Sequence, residues 1–167
     1  MGYIRRAYVL LVFGSLAACG GPSEDRFEGD SSETASPPPL TAATLGEQQI
    51  LDNAAYLAEP RYASADRNRG ERQAQMCLAC HSLDAGGRNM LGPALHGFFG
   101  REVGAVEDFA YSPAIREADF VWTPRALDAW LREPARFLPG NRMIFAGVAD
   151  AGDRDALIAY LLEATAE

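Results

Sequence analysis

The pattern of apolar and polar positions divides the chain into unlike stretches. Residues 7–18 are almost continuously apolar, whereas residues 20–40 are nearly all Ser, Glu, Asp, Gly and Pro and end on Pro37-Pro38-Pro39. The second stretch has little to bury, which predicts a solvated tether. Beyond it, apolar residues recur at helical spacing. Thr44-Leu45-Gly46-Glu47 reads as a capping box opening a short helix, with Ile50, Leu51, Ala54 and Leu57 as a thin stripe and Pro60 as its end. Further helices are expected over about 66–80, near 113–118, from Thr123-Pro124 to about Arg132, and over about 153–164, where Leu157, Ile158, Tyr160 and Leu161 share a buried face. Gly86-Gly87, Gly92-Pro93 and Pro139-Gly140 mark long turns between them. No run alternates as a strand would, so the expected fold class is all-α, about four helices with long loops over residues 64–167, preceded by a short helix or linker over 45–63.

Composition adds bounds. A chain of 167 residues holds one ordinary domain with appendages. Its net charge of −8 excludes nucleic acid as a partner, since binding a polyanion needs a basic face. Residues 20–65 carry two Arg against eight acids and residues 66–167 eleven against fifteen, net −6 and −4, which supports a boundary near Ser64. All fifteen basic residues are Arg. Arg5-Arg6 before the apolar run of 7–18 makes a signal peptide over 1–18, too short to span a bilayer comfortably. The run ends Leu16-Ala17-Ala18-Cys19-Gly20, which resembles a bacterial lipobox. Cys19 is therefore expected to be lipidated and to begin a tether over 19–44, on the periplasmic side of a bacterial membrane.

The remaining two Cys carry the chemistry. Cys77-Leu78-Ala79-Cys80-His81 sets two thiols three residues apart and an imidazole directly after them, as covalent attachment of a c-type haem requires. A zinc site would need further Cys or His, and only His96 and Cys19 are available. A redox dithiol belongs beside a strand in a βαβ pattern, which the flanking residues lack. Haem iron that shuttles electrons takes a second axial ligand, and Met raises its potential. Met1 goes with the signal peptide and Met76 adjoins the haem motif. Met90, in the loop soon after His81, and Met143, in a Pro-Gly-bounded loop able to cross the other face, remain. Met is more often core filler than ligand, so position has to decide.

Downstream of the haem motif come Gly92-Pro93-Ala94-Leu95-His96-Gly97-Phe98-Phe99-Gly100-Arg101, then Trp122, then Pro139-Gly140-Asn141-Arg142-Met143-Ile144-Phe145-Ala146-Gly147, and last Leu157-Ile158-Ala159-Tyr160-Leu161. In this order they resemble class I cytochrome c of the mitochondrial and related bacterial kind, over about residues 70–167. The resemblance implies one covalent haem c, with thioether bonds at Cys77 and Cys80 and axial ligation by His81 and Met143. It puts Pro93 where a carbonyl accepts the ligand imidazole N–H. Arg101, Tyr111 and Trp122 match positions whose donors meet the haem propionates, and Phe145 matches the aromatic beside the exposed haem region. Four positions depart from the family. Trp130 replaces a Tyr that hydrogen-bonds the Met sulfur, Asn141 replaces a hydroxyl near a propionate, Ile115 replaces a polar amide, and Ala74 replaces an aromatic that packs on Tyr160, so a weaker helix contact is expected there.

The implied function is that of a monomeric, membrane-tethered single-electron carrier without catalytic turnover. Its partners would be a quinol:cytochrome c oxidoreductase-type donor and a terminal oxidase or reaction-centre acceptor. Where the family carries lysines around the haem edge, this chain has Met76, Ala79, Met90, Ala135 and Asp150, with Arg88, Arg136 and Arg142 as basic contacts, so docking should be apolar and steering weak. Two other readings use the same haem motif. One is a haem enzyme or ligand-binding sensor in which Met143 leaves the iron, and the other a dedicated cytochrome subunit of an oxidoreductase complex.

Overall fold

The computed structural model describes residues 38–166. The signal peptide, Cys19 and residues 20–37 of the expected tether lie outside them.

Seven α-helices follow one another in this region: α1 Asn53–Leu57, α2 Pro60–Ala63, α3 Arg67–Leu78, α4 Pro113–Glu117, α5 Pro124–Arg132, α6 Pro134–Phe137 and α7 Ala151–Ala164, after a single 3₁₀ turn at Ala42–Thr44. Among the described residues there is no strand, only an isolated antiparallel bridge between Glu102 and Val121. The fold is all-α. The four helices expected over 64–167 are α3, α4, α5 and α7; α1 falls in the short helix expected before them, and α2 and α6 are added.

Side-chain caps explain where most of these helices begin. Asp52, Asp66, Ser112, Thr123 and Asp150 each accept a backbone N–H from the first turn of α1, α3, α4, α5 and α7. Pro occupies the first turn of α2, α4, α5 and α6, where its missing N–H costs nothing. Pro60 thus lies just past the end of α1 and also starts α2. The expected capping box at 44–47 is corrected as well: Thr41 and Thr44 form the reciprocal box one turn earlier, and Gly46, at φ +69°, takes the chain out of helical geometry. The helix expected after it begins only at Asn53.

The central element is α7. Ala156 to Leu162 are buried apart from Tyr160, which is partly covered, so the helix is apolar on nearly all sides in its middle. Helices α1, α2, α3 and α5 all pack against it. Its crossing with α3 is close. A Cβ on Gly70 would lie 2.1 Å from the Ala156 carbonyl oxygen and 2.8 Å from Tyr160 Cβ. Ala74, where an aromatic was missing, is fully buried in this crossing. Ion pairs flank it, from Arg67 to Glu163 at 2.7 Å and from Arg69 to Asp153.

Residues 38–63 join the same core. Leu45, Tyr56 and Tyr62 are buried in it, and Leu40 and Ala42, inside the stretch read as tether, pack against it. Asn53 donates to the Leu162 carbonyl at 2.8 Å, and Arg61 pairs with Asp155. Among the described residues, no helix is long and apolar enough to cross a membrane.

Candidate functional site

The site is assembled at the C-terminal end of α3. Cys77 lies in its last turn, while Cys80 lies just beyond the helix, which ends at Leu78 with Ala79 as its cap. The N–H groups of Cys80 and His81 both bond back to the Cys77 carbonyl, at 3.0 and 2.8 Å. This turn presents the two thiols and the imidazole together. Both cysteines are free thiols and partly buried, and burial raises the Cys77 pKa above its usual value.

The loop after His81 folds back on the motif. Gly92 N–H donates to the Cys80 carbonyl at 2.8 Å and Leu95 N–H to the Ser82 carbonyl at 2.8 Å. This brings the Pro93 carbonyl to 2.7 Å from His81 Nδ1. A carbonyl can only accept, so Nδ1 carries the proton and Nε2 keeps its lone pair for a metal. Burial lowers the His81 pKa, the bond to Pro93 opposing it, a direction that favours the neutral ring which ligation requires. Gly92 leaves room for the ring: a Cβ there would lie 2.2 Å from His81 Cε1. Asn89 braces the same loop, accepting from Ala94 N–H at 2.9 Å and donating to the Glu107 carbonyl at 3.1 Å. Gly92-Pro93 is legible in the sequence as a turn, but the contact at Gly92 and the brace at Asn89 are not.

The residues matched to the propionate pocket come together around the Glu102–Val121 bridge. Trp122 N–H donates to the Arg101 carbonyl at 2.9 Å, and Gly100 N–H to the Trp122 carbonyl at 2.8 Å. Arg101 gives hydrogen bonds to the carbonyls of His96 and Gly97, at 2.7 and 2.9 Å. Tyr111 is close enough to feel the Arg101 charge, though burial dominates and raises its pKa. The Trp122 ring meets Trp130 edge to face at 5.4 Å and Phe120 at 5.0 Å, and Trp130 meets Phe137 at 5.9 Å. These aromatics form a continuous edge-to-face cluster, and Trp130 itself is buried.

The hydrogen bonds of Asn141 are local to its own loop. Its amide donates to the carbonyls of Pro134 and Leu138, and its oxygen accepts the Met143 N–H at 2.9 Å. It therefore shapes the Met143 loop. Met143 and Phe145 are partly buried and pack on the core, whereas Met90 and Met76 are exposed. The other end of the loop is held by Val148 N–H on the Leu131 carbonyl at 2.7 Å and by Arg154, which no sequence motif singles out.

These features fit a c-type haem. Two adjacent thiols are available for thioether bonds, one imidazole is fixed with its far nitrogen open, and a thioether side chain sits on a separately braced loop. They do not fit a metal ion held by the protein alone, since no three His, Cys, Asp or Glu side chains converge among the described residues. Fold and site together define a monohaem c-type cytochrome.

Comparison with known proteins agrees. No protein-family model matches the chain. Cytochrome c2 of Blastochloris viridis is 41% identical over 105 residues, covering 63% of this chain and 83% of the relative. Cytochrome c of Chlamydomonas reinhardtii is 42% identical over 104 residues, covering 62% and 93%. The protein named cytochrome c-type cyt cy of Rhodobacter capsulatus is 40% identical over 104 residues, which is 62% of this chain and 51% of that longer relative. The chain belongs to the cytochrome c and c2 family. It is a monohaem electron carrier, not an enzyme, and its cofactor is one covalently bound haem c with His/Met ligation.

Proposed function

We propose that this cytochrome is lipidated at Cys19, is held at the periplasmic face of a bacterial membrane, and passes single electrons from a quinol:cytochrome c oxidoreductase-type donor to a terminal oxidase or a reaction centre. Cys77 and Cys80 hold the haem, and His81 and Met143 are its axial ligands. When bound, haem c supplies a one-electron Fe(II)/Fe(III) couple.

The protein's own part is to hold the ligands still and to set the surroundings. The Pro93 carbonyl fixes the His81 ring and increases its basicity. Asn141 fixes the backbone from which Met143 reaches. Arg101, Tyr111 and Trp122 supply donors for the propionates, while Trp130 and Phe145 wall the pocket. The observation that carries this reading is the 2.7 Å contact between His81 Nδ1 and the Pro93 carbonyl, directly after the paired thiols. For the second ligand, partial burial of Met143 against the exposure of Met90 supports Met143.

Replacing Met143 tests the ligand set. Met143→Ala should leave haem attached through both thioethers, abolish the ferric Met-to-iron charge-transfer band and lower the reduction potential in a spectroelectrochemical titration. An unchanged band and potential would give the ligand role to Met90. The wild-type ferrous protein should not bind CO at neutral pH. A high-spin ferric spectrum with ready CO binding would replace the carrier reading with a ligand-binding one.

A further inference from the structure

The buried charge that holds the far end of the Met143 loop has a further partner. Arg154, in α7, is only 2% exposed. Its Nε donates to Asp128 Oδ1 at 2.8 Å, and a terminal nitrogen donates to the carbonyls of Val148 and Ala149 at 2.9 and 2.8 Å. Those carbonyls end the loop that carries Met143. The preceding residue, Gly147, adopts φ +99° and lies so close to α5 that a Cβ would come within 2.3 Å of the Arg132 carbonyl oxygen. Residues 147–149 are thus fastened to α5 and α7 together, and Asn141 fastens the other end. The five residues between 141 and 147 include Met143 and the fully exposed Ile144.

Asp128 has a second cation beside it. Arg61, in α2, lies 3.6 Å from the same carboxylate oxygen while it pairs with Asp155. Helix α2 belongs to the segment that follows the tether.

We propose that Asp128 and Arg154 form a clasp that positions the Met143 loop, and that Arg61 ties the segment after the tether into that clasp. The proposal rests on the reading of Met143 as axial ligand. Its physical basis is that a buried guanidinium which loses its carboxylate is strongly unfavourable. The nearest relief is to let residues 147–149 swing out and hydrate the charge, and this loosens Met143. Asp128 and Arg154 are positioning residues and do not touch the haem.

The test uses the holoprotein and imidazole, which competes with Met for the iron. Asp128→Asn should raise the affinity of the ferric protein for imidazole by about tenfold, because part of the cost of the unpaired charge is relieved only in the opened loop. Asp128→Glu should return it to within about twofold of wild type. Arg61→Gln should raise it by about twofold, since its pair is partly exposed. In a Met143→Ala background, Asp128→Asn should change nothing, as no Met remains to be displaced. If Asp128→Asn lowers the melting temperature but leaves imidazole affinity unchanged, the residue is merely structural and the clasp is overturned. Should that variant fail to accumulate, an unchanged affinity in Arg61→Gln overturns the tie to α2. If Met143→Ala keeps the ferric charge-transfer band, the ligand assignment fails, and that outcome is separate from the other two.

Discussion

His81 is placed by two neighbours that the chain brings back to it. The Pro93 carbonyl orients the ring, and Gly92 gives it room. Gly92→Ala puts a methyl group 2.2 Å from Cε1 and 2.6 Å from Nε2, so either the ring or the loop has to move. Overpacking of this kind costs about 1–3 kcal/mol. The expected outcome is a lower melting temperature and a shifted reduction potential, with haem still covalently attached; an unaltered potential would show that the loop yields without disturbing the imidazole. Tyr62 gives a second prediction. It is 1% exposed, and burial raises its pKa above the usual 10.0. An unfolded tyrosine ionises near its usual value while the folded one stays neutral, so the stability it contributes is present below about pH 10 and is lost as pH rises toward the folded pKa. Tyr62→Phe should make denaturant stability fall less steeply above pH 10, by about 1.4 kcal/mol per pH unit. Tyr111, raised in the same direction, keeps part of the slope. At this scale the sequence was most informative where chemistry is local: Cys77, Cys80 and His81 are contiguous and could be read directly. The braces from Asn89, Asn141 and Arg154 could not, because each is a side chain reaching a backbone carbonyl or N–H whose position depends on the finished fold.

Among the elements, α7 decides the architecture. A helix apolar on nearly all sides can only be stable at the centre, and its neighbours have to present small residues to approach it. Gly70 does so in α3. Gly70→Ala would gain about 1 kcal/mol of intrinsic helix preference. Its Cβ, however, would sit 2.1 Å from the Ala156 carbonyl oxygen, which is backbone and cannot rotate away. The clash should outweigh the gain and destabilise the holoprotein by about 1–3 kcal/mol, measured by thermal or urea unfolding. A more stable variant would mean the crossing has slack. Apolar spacing was sufficient for α3, α4, α5 and α7, with Thr123-Pro124 marking the start of α5, while the caps at Ser112 and Asp150 emerge from the structure. The sequence pattern misplaced the first short helix because Thr44 and Glu47 match a capping box in letters, whereas Gly46 between them takes a left-handed conformation. It missed α6 because a four-residue helix between Pro134 and Phe137 has no periodicity to detect.

For the molecule as a whole, the question is how an acidic carrier meets its partners. The region 66–167 has a net charge of −4. Of the three arginines expected at the rim, Arg136 lies 3.8 Å from Glu133, which offsets part of the field it projects. The exposed large apolar side chains include Met76, Met90, Leu91 and Ile144, and the last two are more exposed than any sequence cue suggested. Such a surface favours short-range apolar docking over long-range capture. Confinement can replace capture, since a flexible linker holds its cargo at about millimolar effective concentration. Measured with membranes containing a terminal oxidase, the oxidation rate of the free Cys19→Ser protein should therefore change by less than about threefold over a tenfold range of ionic strength. The same variant should leave the membrane with its visible spectrum unchanged. Its rate should fall in proportion as the membranes are diluted, while the rate of the wild-type protein per membrane should not. A steep loss of rate with salt would mean that the arginines steer after all. Equal dilution behaviour of the two forms would remove the case for a tether at Cys19.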